Sequence, residues 1–129
     1  MLPAKVKIVE VGPRDGLQNE KQILPVGDKV HMIDLLSQSG LAAIEIGSFV
    51  RPDRIPPLAD TEQVAARITR SEAVAYSALV PNLRGLQRAL EAHIQEVAVF
   101  MSATNAHNLK NTNRTTAEAL LTYRELIQA

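Results

Sequence analysis

Between Val11 and Glu20 the chain reads Val-Gly-Pro-Arg-Asp-Gly-Leu-Gln-Asn-Glu, which places a guanidinium, a carboxylate and a primary amide within one turn. The carboxylate of Asp15 can hold a hard cation. The guanidinium of Arg14 beside it can grip an anionic oxygen through two parallel donors. Gln18 adds a hydrogen-bonding amide. This combination suits a reaction on a carboxylate or thioester substrate polarised by a metal. Each residue also has a plainer reading: a loop acceptor for Asp15, a surface ion-pair partner for Arg14 and a backbone-bonded amide for Gln18.

A second group lies some thirty residues on. Glu45 interrupts an apolar run, where a lone buried charge is costly unless it is paired. Facing a mouth beside Arg14 would satisfy it. Ser48 follows and could bond substrate or serve as an ordinary loop serine. Glu10 reads as a structural partner for a basic group, Asn82 first as a helix cap, and Lys110 as an exposed lysine able to meet a phosphate. His31 and His93 read as packing or surface residues, and His107 sits on a polar loop.

These residues need a frame. Val6 to Val11 reads as a first strand, and Gly12 to Leu24 as a long loop. A helix is expected over Asp28 to Gln38, with Val30, Ile33 and Leu36 on one side. A second strand is expected over Ala42 to Ile46, then a loop in which consecutive prolines at 56 and 57 exclude helix. Asp60 and Gln63 have capping-box spacing for a second helix, whose apolar side is Val64, Ala65 and Ile68. A third strand covers Ala73 to Val80. Asn82 caps a third helix with Leu83, Leu86 and Leu90 inward. A fourth strand covers Glu96 to Met101, and Ser102 to Arg114 reads as a polar loop. Thr115 and Glu118 box the start of a fourth helix, with Leu120, Tyr123 and Ile127 on its buried face.

The order is four βα units. The strands are short, rich in Val, Ile and Ala, and poorly alternating, as in parallel sheets covered on both faces. In a right-handed series the loops after the strands share one face. Arg14, Asp15, Glu45, Ser48 and the segment Asn105 to Asn111 would therefore converge. Four units fit either a small open doubly wound sheet or half of a larger barrel.

Composition narrows the functional classes. Basic and acidic side chains cancel at 14 each, so no cationic excess points to nucleic acid. Cys is absent, which removes disulfides and thiolate chemistry from this chain. No apolar run approaches the length of a membrane span, and the opening Met1 to Lys5 lacks the apolar core of a secretory signal. A cytoplasmic location is the expectation.

The string VGPRDGLQNE, followed in order by IEIGSFV and VPNLRG, resembles the 3-hydroxy-3-methylglutaryl-CoA lyase family, one branch of the metal-dependent barrel lyases and acyl synthases. The synthase branch reads more like LRDGEQ here; Pro13 before Arg14 and Leu17 before Gln18 favour the lyases. The resemblance runs from about Lys5 to the end. It implies an α/β fold in which residues 1–129 are the amino-terminal half of a (β/α)8 TIM barrel, a partial pyruvate carboxyltransferase-like lyase domain whose second half is absent. A complete barrel takes about 250 residues, and the chain ends inside a helical pattern.

The resemblance further implies a retro-Claisen cleavage to acetyl-CoA and acetoacetate. Asp15 would bind a divalent cation, Mg²⁺ or Mn²⁺. Arg14 would clamp the carbonyl or enolate oxygen, Glu45 would lie in the active site, and Gln18 and Ser48 would contact substrate. The family's His-x-His pair, loop cysteine and asparagine have no counterpart here. Alone, the chain is expected to be inactive. Two alternatives stand beside this: a lyase for a longer 3-hydroxyglutaryl-CoA, and a non-catalytic half-barrel whose open edges recruit a second copy, making a homo-oligomer.

Overall fold

A computed structural model describes residues 2–129; Met1, at the head of the opening segment, lies outside the described residues. Among these residues four parallel strands lie side by side in chain order: β1 (Val9–Glu10), β2 (Ala43–Ser48), β3 (Ala75–Leu79) and β4 (Glu96–Ala98). Five helices accompany them: α1 (Val26–Ser37), α2 (Thr61–Arg67), α3 (Leu83–Glu91), α4 (Asn105–Thr112) and α5 (Thr116–Gln128). All six residues of β2 are buried, as expected of a parallel strand covered on both faces. Ile44 and Ile46 of β2 alternate with Glu45, and Tyr76 and Ala78 of β3 alternate with Ser77. The apolar members join Ile33 of α1, Val64 and Ala65 of α2, and Ala89 of α3 in one core. Ile33 and Ile44 are wholly inaccessible, and burial of each stabilises the fold by about 2 kcal/mol.

The edge strands are shorter than their apolar runs suggest. The first run forms a ladder only at Val9 and Glu10, and the last only from Glu96 to Ala98. Val6, Ile8, Val97 and Val99 are exposed. Strand preference is realised through packing against neighbouring strands, and β1 and β4 have one neighbour apiece. Lys7 carries its charge into solvent and meets Glu96, 3.8 Å away.

Other boundaries move for local reasons. Helix α1 starts at Val26, two residues before the expected Asp28. The prolines at 56 and 57 do not exclude helix: Pro56–Leu58 makes a single 3₁₀ turn, where a first-turn proline loses no needed donor. Asp60 precedes α2 but its side chain does not cap it. Its carboxylate is taken by Lys29, whose buried ammonium donates to both Asp60 oxygens at 2.7 and 2.8 Å and to the Pro57 carbonyl at 2.6 Å.

Asn82 does cap α3, its Oδ1 accepting from the Gly85 amide at 2.9 Å. The inward face of α3 is Gly85 and Ala89, with the expected Leu86 half-buried against the core, whereas Leu83 and Leu90 are exposed. Gly85 is required there, because a Cβ would lie 2.9 Å from the Phe49 carbonyl oxygen.

The expected polar loop after β4 contains α4, capped by Thr104 and anchored by the fully buried Asn108. The capping box of Thr115 and Glu118 is complete. Helix α5 buries Ala119, Tyr123 and Leu126; Leu120 and Ile127 face outward.

One contact fixes the end of β2. The Thr61 hydroxyl accepts from the Ser48 amide at 3.1 Å and donates to the Leu58 carbonyl at 2.8 Å. It sits where a Cβ on Gly47 would be, with Thr61 Oγ1 only 2.5 Å from that position.

Candidate active site

The chain leaves β1 through a tight π-helical turn, Gly12–Gly16, rather than an open loop. The Val11 carbonyl accepts from the amides of Arg14, Asp15 and Gly16 at 3.1, 2.7 and 3.4 Å. Pro13, which has no amide to place, is buried at the start of the turn. Glu10 does not hold a basic group; its carboxylate accepts the Gly12 amide at 2.6 Å. This turn sets Arg14 and Asp15 side by side at the carboxyl end of the sheet.

Arg14 is held from two sides. Its Nε donates to Glu45 Oε1, and its NH1 donates to Asp15 Oδ1 at 2.9 Å. The Glu45 side chain is 8% exposed and that of Arg14 19%. A carboxylate so buried needs a partner, and Arg14 provides it. Among the described residues the remaining terminal nitrogen of Arg14 donates to no protein group. Arg14 thus presents an oriented cation with a free donor.

A cleft of about 760 Å³ opens beside it. Arg14, Gln18, Arg54, Lys110 and Arg114 supply its polar wall, and Val50, Leu79 and Phe100 its apolar wall. Among the described residues no Asp or Glu lines it. Arg54, Lys110 and Arg114 line it beside the ion-paired Arg14, and no carboxylate shares the wall, which favours an anionic guest. Tyr123 closes the floor, its hydroxyl donating to the Phe100 carbonyl at 2.5 Å. Burial pushes the Tyr123 phenol above its ordinary value, so it stays a neutral donor.

The other expected residues are distributed differently. Asn82 and Lys110 line the cleft. Ser48 is 2% exposed, and its hydroxyl accepts from the Val50 amide at 3.3 Å, so it shapes the strand exit and is not part of the cleft wall. His107 is exposed and pairs through Nδ1 with the Ser102 hydroxyl at 2.7 Å. His31 and His93 are exposed on helices or turns away from the cleft lining. Arg54 and Arg114 were not singled out from sequence. Both are charges in polar segments, and only the fold shows that the two segments face each other.

Asp15 is the one candidate metal ligand. Its side chain is 56% exposed and acidic, a donor type that suits Mg²⁺ or Mn²⁺. Among the described residues no group of three or more His, Cys, Asp or Glu side chains is placed to hold a metal ion. The donor fits in kind and supplies one ligand.

The HMGL-like family model matches residues 5–129. The chain is 55% identical over 118 residues to hydroxymethylglutaryl-CoA lyase YngG of Bacillus subtilis, covering 92% of this chain and 40% of that protein. It is 47% identical over 128 residues to a 3-hydroxy-3-isohexenylglutaryl-CoA/hydroxymethylglutaryl-CoA lyase of Pseudomonas aeruginosa, covering 99% and 43%. The crystal structure of the Bacillus subtilis HMG-CoA lyase superposes with a TM-score of 0.95 at 52% identity, over 98% of this chain and 42% of that one. The chain therefore spans about two fifths of the length of the relatives it matches. Its parallel sheet and flanking helices are those of the lyase barrels over that part.

Proposed function

This chain belongs to the HMGL-like family, and we propose that it forms the oxyanion-binding part of a 3-hydroxy-3-methylglutaryl-CoA lyase. The observation that carries the reading is the fixed Arg14 cation, locked to Glu45 and Asp15, at the mouth of a cleft without carboxylates. The substrate is an anionic thioester. Cleavage passes the proton of its tertiary 3-hydroxyl to a base from beyond these residues and breaks the C2–C3 bond, so that acetoacetate forms and the departing enolate takes a proton at C2 to become acetyl-CoA. Negative charge develops on the thioester oxygen, and a donor already oriented toward that position lowers the barrier without reorganising.

Arg14 takes that role through its free donor. Glu45 acts through Arg14: it fixes the guanidinium and is a positioning residue, not a base. Gln18 bonds substrate from the cleft wall. Ser48 supports the strand exit and reaches substrate only indirectly. Asp15 would hold a divalent cation, Mg²⁺ or Mn²⁺, which when bound polarises substrate oxygens and offsets charge. A single carboxylate holds such an ion weakly, because Mg²⁺ dehydrates reluctantly.

The residues present supply one metal ligand and one clamp, so cleavage needs further groups from beyond these 129 residues. Mixing with a separately made carboxyl-terminal half of a lyase barrel supplies them if the β1 and β4 edges pair with it. The assay is acetoacetate release from 3-hydroxy-3-methylglutaryl-CoA with Mg²⁺ or Mn²⁺, with and without that half. The expected result is release only in the mixture, and a fall of about 10²–10³ in kcat on Arg14→Ala there. Turnover by the chain alone at the rate of a full-length lyase would overturn the reading. The Pseudomonas aeruginosa relative's name supports testing the longer 3-isohexenyl thioester in parallel. No helix among the described residues is long and apolar enough to cross a membrane.

A further inference from the structure

We propose that Arg88, on helix α3, is a positioning residue for the cleft wall that follows β2. It never reaches the cleft itself. The inference rests on the lyase reading only in taking this wall as part of the acyl-CoA site.

The Phe49 amide makes the last ladder bond to β3, donating to the Leu79 carbonyl at 2.8 Å. Beyond it the carbonyls of Phe49 and Val50 leave the sheet. Both turn toward one nitrogen, Arg88 NH1, at 3.4 and 3.3 Å. The guanidinium is aimed there by Glu62 of α2, which accepts from Nε at 2.5 Å. It also lies 5.6 Å from the centroid of the Phe49 ring, within cation–π range. Gly85, three residues earlier on the same side of α3, lets the helix approach the Phe49 carbonyl closely. Two elements thus grip a two-residue segment at the point where the chain begins to form the cleft.

Val50, Arg54 and Ile55 then line that cleft. The segment is caught again at its far end, where Lys29 holds the Pro57 carbonyl and Asp60. In between, its bonds are internal: Arg51 pairs with Asp53 at 2.7 Å, and the Arg54 amide donates to the Arg51 carbonyl at 3.0 Å. The course of residues 51–56 is therefore set by its two tethers. Arg88 is the tether nearer the apolar wall.

The competing account is that Arg88 merely staples α2 to α3 through Glu62. Two substitutions separate the accounts: Glu62→Gln removes the charge of the staple but keeps an amide oxygen to accept from Nε and hold the aim, whereas Arg88→Gln removes both staple and carbonyl contacts. Trypsin can report on the segment at the Arg54–Ile55 bond, with Arg124–Glu125 on α5 as an internal control. In the full chain, Arg88→Gln should speed cleavage at Arg54 about tenfold relative to Arg124, Glu62→Gln less than about twofold, and Arg88→Lys should fall between, because its single ammonium cannot serve Glu62 and the carbonyls together. Equal effects of Arg88→Gln and Glu62→Gln, or acceleration at both bonds alike, overturn the proposal.

A kinetic arm uses the lyase assembled with its complementary half. There Arg88→Gln should raise KM about fivefold and leave kcat within about twofold, the mark of lost substrate positioning. A fall in kcat at unchanged KM overturns the proposal. Absence of cleavage by an unsubstituted assembly that size-exclusion chromatography shows to hold both halves refutes the lyase reading alone, and the trypsin result then decides the role of Arg88.

Discussion

Lys29→Met should destabilise the chain more than any surface substitution. Methionine follows the aliphatic stem of lysine but offers no donor. The Lys29 side chain is 4% exposed and that of Asp60 20%. All three bonds of the ammonium, to Pro57 and to both oxygens of Asp60, vanish together. Breaking a buried pair from one side costs about 3–5 kcal/mol, because the surviving charge has lost its partner. Water reaches Asp60 in part, which places the expected cost at the low end, about 3 kcal/mol. With a urea slope of about 1.5 kcal/mol per molar, the unfolding midpoint falls by about 2 M. Circular dichroism is the suitable probe, since the chain has no Trp. Lys29→Met combined with Asp60→Asn removes the orphaned charge and should recover about half of the loss. A midpoint within about 0.3 M of the parent for Lys29→Met, or a double variant that simply adds two single losses, would refute the reasoning.

Two further outcomes follow from the same kind of accounting. Asn108→Ala removes an acceptor for the Ser102 amide and a donor to the Arg114 and Thr115 carbonyls, at 3.0, 2.9 and 3.2 Å. Orphaning these partners at a site with no exposure costs about 2–4 kcal/mol and lowers the melting temperature by about 10 °C, read by thermal circular dichroism. Glu118 accepts from the Thr115 amide and hydroxyl, which holds its carboxyl below the usual glutamate range. A lowered folded value means that the contribution is fully present above the unfolded value and fades as pH falls through the folded one. The melting-temperature gap between parent and Glu118→Gln should therefore shrink from about pH 6 to about pH 3, and a gap that widens on acidification contradicts the assignment.

The parallel βα order was legible because its signals are local and redundant: buried apolar runs, the Asn82 cap and the Thr115–Glu118 box each mark a boundary. Arg14, Asp15, Glu45 and Gln18 stood out because charge or amide beside a strand end is unusual, and the fold brings Arg14 into contact with both carboxylates. What escaped was set by distant partners. Asp60 has the right spacing to cap, but Lys29, 31 residues away, takes its carboxylate. Helix α4 was hidden by its polar composition, since its anchor is an asparagine whose bonding partners lie on either side of the helix. The leucines at 83, 90 and 120 have inward periodicity, yet all three are exposed, because the smaller Gly85, Ala89 and Ala119 take the packed side of their helices. The cationic wall needed Arg54 and Arg114 to be brought together across the loops, and spacing along the chain carries no trace of that.

The close approach of Thr61 to Gly47 constrains the order in which substitutions can accumulate. Any side chain at 47 must first see residue 61 shortened, because the threonine sits 2.5–2.6 Å from where a Cβ would go. Shortening residue 61 first strips the Ser48 amide of its acceptor and the Leu58 carbonyl of its donor. Each single step is thus harmful, while the pair together can refill the space. The two sites are therefore coupled: a side chain at 47 fits only where residue 61 has given up the space. A combinatorial library over positions 47 and 61 should recover folded members along its diagonal and almost none along its edges.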